Sequence, residues 1–174
     1  MINITATDKA MVTPLVELQE AIDRMPEKEY MESLNEMCNA RGAFTFVGQF
    51  AQLNFEQSNL EAFSAVLQFA HLTYLFLKED FPEDKFNPLA FSDLVDATKI
   101  KVAESAGDDK KSRRKMDKMI NKIHNKGLLT FLVSMTMPRL QRLYLSEKQM
   151  EDCLAMCLSL LSYSEQEIRE ARRK

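Results

Sequence analysis

Glycine and proline are scarce, with four and five residues respectively in 174. That scarcity disfavours a turn-rich all-β chain and favours helix. Tryptophan is absent. No apolar run reaches the roughly 18 residues that a membrane span needs, so no membrane segment is expected. The first residues, MINITATDKAMV, lack a basic start followed by an apolar stretch, so no secretory leader is expected and a cytoplasmic setting follows. The three cysteines cannot all pair with one another. Cys153 and Cys157 lie four apart with no His or further Cys beside them, which reads as small apolar side chains in a reduced core and not as a metal shell. No Gly-rich phosphate loop is present, so neither a cofactor nor a metal is expected.

Catalytic groupings are equally thin. His71 stands in an apolar helix next to Leu72 and reads as a hydrogen-bonded core residue. His124 follows Ile123 near a helix end, where a partly protonated imidazole favours the dipole. The carboxylate pairs Glu79-Asp80 and Glu83-Asp84 fall in a linker and read as solvated charge. No Ser/His/Asp or Cys/His set stands at a readable spacing, so no enzyme is expected.

What the chain does have is apolar periodicity, eleven Met, and a segregation of charge. Thr13-Pro14 opens a helix carrying Leu15, Leu18 and Ile22. Pro26 breaks it and opens a second, with Tyr30, Met31, Leu34, Met37 and Cys38 on its inner face, ended by Gly42. Phe44, Val47, Phe50, Ala51 and Phe55 predict a third. Ser58 and Glu61 predict a capping box for a long apolar helix over 59–78, which turns Phe63, Val66, Leu67, Ala70, Tyr74 and Leu77 inward. A linker over 79–88 follows. Ser92 caps a short helix through Leu94, Val95, Ile100 and Val102, and residues 106–109 make a turn.

Lys110 to Leu129 holds the strongest signal. Eight of the 23 basic residues and one of the 26 acids lie between 110 and 126. That stretch carries about +7 and the rest of the chain about −10. Met116, Met119, Ile120 and Ile123 recur as one apolar stripe, and Gly127 is a natural helix stop. A basic face is otherwise merely solvated surface, but segregation on this scale points to a polyanion, nucleic acid first. Leu128–Met137 reads as an apolar strand, turned near Met137-Pro138 into a second strand over 139–145. A helix there would hold Pro138 in its interior at about 3 kcal/mol. Ser146 with Gln149 then caps a helix to about Leu161, and Ser164 with Glu167 caps a last charged helix.

This order resembles a winged helix-turn-helix. Ser112–Leu129 is similar to the recognition helix and first wing strand of phage and plasmid replication or regulatory proteins and of MarR-type regulators. Leu145-Ser146-Glu147-Lys148 resembles the step by which MarR-type proteins leave the wing. Gly42-Ala43-Phe44-Thr45 and Asn87-Pro88-Leu89 are similar to short signatures of phage and plasmid members. The turn over 101–111 is longer than in those families, and the wing tip lacks their Asp and Arg, having Met135-Thr136-Met137-Pro138 instead.

The resemblance implies a mainly α fold: a helical arm over 1–41, a winged helix-turn-helix core with a short β-hairpin over 42–145, and C-terminal helices over 146–174 that pair two copies. It implies a double-stranded DNA-binding protein acting in transcription regulation or replication initiation. Its DNA-binding residues would be Lys110, Lys111, Ser112, Arg113, Arg114, Lys115, Asp117, Lys118, Asn121 and Lys122, with Arg139 and Arg142 from the wing. Arg and Asn would read base edges, while Lys110, Lys111 and Lys115 would neutralise phosphates. Surplus helices over 14–40 and 147–174 point to a homodimer. The alternative is a non-catalytic, all-helical adaptor or inhibitor docking the same helix on an acidic protein.

Overall fold

The computed structural model describes residues 6–173. Residues 1–5, within the stretch read as lacking a leader, and Lys174, at the end of the expected last helix, lie outside them. Among the described residues there are helices and no strand. They run α1 (Ala6–Asp23), α2 (Glu27–Ala40), α3 (Gly42–Phe55), α4 (Leu60–Leu77), α5 (Pro88–Glu104), α6 (Lys110–Ile120), α7 (Lys126–Phe131), α8 (Met137–Gln141) and α9 (Glu147–Arg172). A 3-10 turn follows α4, and a π-helical turn, Leu132–Thr136, joins α7 to α8.

Two apolar clusters hold the chain together, and α4 and α9 contribute to both. Ala62, Ala65, Val66, Ala70 and Tyr74 of α4 meet Phe44, Val47, Ala51 and Phe55 of α3. Phe69, Leu72 and Leu77 of the same helix meet Leu15 and Ile22 of α1 and Leu128 of α7. α9 divides its side chains likewise, with Cys153, Met156 and Leu160 in one cluster and Cys157, Leu158 and Leu161 in the other. Among the described residues α4 is the helix long and apolar enough to cross a membrane by composition; here it is the central helix, with ten buried residues in its 18.

The β-hairpin wing is not there, and with it goes the winged helix-turn-helix fold; the chain is mainly α as expected. Residues 126–141 form one helical run in which the π turn precedes Pro138. In an α-helix the ring of Pro138 would strike the carbonyl four residues back. A π turn widens the coil, and Met137 N–H reaches back five residues to the Leu132 carbonyl. The proline is thereby accommodated without breaking the run.

Several boundaries also move. α1 begins before Thr13-Pro14 and carries Pro14 inside. Asn59, not Ser58, caps α4, its Oδ1 accepting from Ala62 N–H at 3.0 Å. Asn87 caps α5 ahead of Ser92, accepting from Leu89 and Ala90 N–H at 3.1 Å each, with Pro88 in the first turn. Ser146 and Gln149 make the predicted reciprocal capping box, but α9 then continues past Ser164 to Arg172. Gly42 starts α3 where the sequence reads an end. A Cβ there would collide with the Phe86 ring, so the glycine admits the 81–86 segment against the bundle.

Candidate functional site

α6 is built to display charge. Asp109 caps it, its Oδ1 accepting from Lys111 N–H at 2.8 Å and Ser112 N–H at 3.0 Å. Its Oδ2 accepts from Ser112 Oγ at 2.8 Å. These bonds, led by the Ser112 hydroxyl, hold the Asp109 carboxyl below the usual carboxylate range. A negative charge at this end also favours the helix dipole. Met116 and Met119 are half-buried and Ile120 and Ile123 buried against the second cluster, so the predicted apolar stripe holds α6 down. The opposite face is turned outward.

On that outer face Lys110, Lys111, Arg113, Arg114, Asp117 and Lys118 are exposed, as are Asn121 and Lys122 just beyond the helix end. None of the six cations among them lies within 4 Å of a carboxylate among the described residues. Lys110, Arg114 and Lys118 follow one another at four-residue intervals, a row of about 12 Å at 1.5 Å per residue. No acidic helix covers them.

The structure treats the other expected site residues differently. Ser112, expected to be exposed, is buried by its bond to Asp109. Lys115, expected at phosphate, is half-buried, with Nζ 2.8 Å from Glu104 Oε2. That contact holds the Glu104 carboxyl below its usual range. Arg139 and Arg142 have no wing to stand on. They belong to the end of α8, which packs on α4 and α9, while α6 packs on α5. Arg139 Nη1 donates to Gln68 Oε1 at 2.6 Å.

The helix is also shorter than predicted, ending at Ile120 and not at Gly127. Lys126 Nζ donates to the Ile120 carbonyl at 3.3 Å. Residues 121–125 turn the chain. Glu165 of α9 holds that turn, accepting from His124 N–H at 2.9 Å and Asn125 N–H at 2.5 Å. Gly127 lies within α7, where a Cβ would stand 2.9 Å from the Met11 carbonyl; it permits the close approach of α1.

One pairing carries no sequence signal at all. Ser33 Oγ of α2 lies 2.6 Å from Nε2 of His71, 38 residues away on α4. His71 is buried, as its apolar surroundings predict, and burial pulls its pKa below the usual imidazole value. Its Nδ1 has no hydrogen-bond partner among the described residues. A neutral imidazole beside a hydroxyl is the start of a nucleophile–base pair, but among the described residues no acceptor holds Nδ1 and the ring packs edge-on to Tyr30, so the arrangement reads as a packed polar contact.

No protein-family model, curated protein or solved structure matches the chain.

Proposed function

We propose that the protein binds double-stranded DNA through the outer face of α6. The observation that carries this reading is the row of exposed, unpaired cations on an 11-residue helix of an otherwise acidic chain. Cations left without internal partners keep their full attraction for a polyanion. Without a wing, the duplex meets one helix. Lys110, Lys111, Arg113 and Lys122 neutralise phosphates, while Arg114, Lys118 and Asn121 on the same face reach toward base edges. A regulatory or replicative role is the use such binding serves.

The test is a salt titration of binding to a 20-base-pair duplex. Each phosphate neutralised contributes about −0.9 to the slope of log K against log salt. The four phosphate contacts therefore give a slope of about −4, and Lys111→Ala with Arg113→Ala reduces its magnitude by about 2.

The charge of the body favours a second reading. About −10 outside residues 110–126 repels flanking phosphates, and a compact acidic protein avoids that repulsion. This adaptor reading expects no duplex binding even at low salt.

A further inference from the structure

A cleft of about 360 Å³ opens between α1, α4 and the α7–α8 run, and no residue of α6 lines it. Its floor is apolar, with Phe69 and Phe131 buried there. Its rim carries opposite charges, Asp23 at the end of α1 and Arg139 on α8. Opposite charges facing one small space ordinarily close on each other. These do not: no ion pair within 4 Å joins them.

Each is held by a neutral amide instead. Arg139 Nη1 donates to Gln68 Oε1 at 2.6 Å, and Asp23 Oδ1 accepts from Gln19 Nε2 at 2.9 Å. Both glutamines line the same cleft. Neither amide neutralises the charge it meets; Arg139 is half-buried and Asp23 exposed at the rim. A guanidinium has five donors, so most of Arg139's remain for a ligand, and Asp23 Oδ2 remains an acceptor. Tyr30 of α2 lies in the field of both charges. Burial and Asp23 push its hydroxyl pKa up, while Arg139 pulls it down.

The far wall is the π turn, whose Met135 and Thr136 line the cleft. Such turns recur at functional sites because they aim side chains that an α-helix would place elsewhere. The volume is at the low end of the roughly 300–1,000 Å³ of ligand pockets, so the ligand is small. A lone anion would engage only Arg139, and a lone cation only Asp23. A molecule carrying both charges satisfies both.

We propose that this cleft binds a free L-α-amino acid with an apolar side chain. Its carboxylate meets Arg139, its ammonium meets Asp23, and its side chain lies over Phe69 and Phe131. The proposal stands independently of the reading of α6.

The test titrates the full-length, ¹⁵N-labelled chain with L-leucine, L-methionine and L-phenylalanine in turn, into the millimolar range. Saturable amide shifts over residues 19–23 and 132–139 are expected for at least one of them. The matching single-charge analogues (for phenylalanine, phenethylamine and 3-phenylpropionate) bind at least about tenfold more weakly, since each loses one charge-assisted contact. Asp23→Asn and Arg139→Gln weaken binding by about the same factor. The analogue arm uses the native chain, so it decides even where a variant fails to fold. No saturable shift with any of the three, shifts confined to other segments, or equal binding of the single-charge analogues overturns the proposal.

Discussion

Arg41 shows how much one side chain can tie together. Its Nη2 lies 2.6 Å from Glu167 Oε2, its Nη1 donates to the Pro82 carbonyl at 2.5 Å, and its guanidinium sits 4.5 Å from the Phe81 ring centroid. Both members of the ion pair are largely buried, at 5% and 15% side-chain exposure. Arg41→Ala strands a carboxylate inside and is expected to cost about 3–5 kcal/mol in urea unfolding. Arg41→Met with Glu167→Leu recovers most of that, because it leaves no charge behind. His71 gives the chain a dependence on pH. Burial lowers its folded pKa, so below the ordinary value of 6.5 the unfolded chain binds the extra proton. Stability is therefore full above that value and declines as pH falls through the window beneath it. His71→Gln flattens this decline in unfolding midpoints measured over that range, leaving only the slope that the carboxylates supply.

At the scale of elements, the caps give the sharpest expectation. Asn59→Ala removes the bond to Ala62 N–H and costs about 1 kcal/mol, whereas Ser58→Ala, one residue outside, stays within about 0.5 kcal/mol. Urea midpoints of the two variants separate the observed start of α4 from the predicted one. Much of the helical layout was legible because half-buried helices keep a 3.6-residue period. The face of α3 and the Met116–Ile123 stripe follow it, as does that of α2 except for Met31, which is exposed; α4 was read correctly as the long apolar helix, although Phe69 to Tyr74 are buried on every side. The run after Gly127 has no such period, because Leu128 to Leu132 are buried one after another. A continuous apolar run reads alike as a strand or as a fully buried helix, and Pro138 tips the reading to strand unless a π turn is allowed for. Ser164 and Glu167 likewise have capping-box spacing. In α9 the Ser164 hydroxyl is buried without a hydrogen-bond partner among the described residues, and Glu167 is spent on Arg41. The charged face of α6 was readable from composition. The cleft was not, because Asp23, Gln68 and Arg139 meet only through tertiary packing.

For the molecule as a whole, the helices that pointed to a dimer are absorbed by the chain itself. α1, α2 and α9 all send side chains into the two clusters. Because α4 and α9 serve both clusters, the bundle is expected to unfold as one unit, and the cysteines can report it. Cys153 and Cys157 stand in different clusters, both buried, and burial pushes the Cys153 thiol up to about 12 and Cys157 further above its usual value. A thiol reagent is expected to modify only the half-buried Cys38 in the native chain, and then Cys153 and Cys157 together along a urea series. Separate labelling midpoints for those two would mean two folding units. The Glu165 contact to His124 and Asn125 N–H has its own consequence. It makes a connecting loop's amides depend on a carboxylate from a distant helix. Deuterium uptake at those two positions thus becomes a gauge of strain: cargo that levers α6 away from the bundle quickens it, and cargo that merely rests on the helix leaves it unchanged.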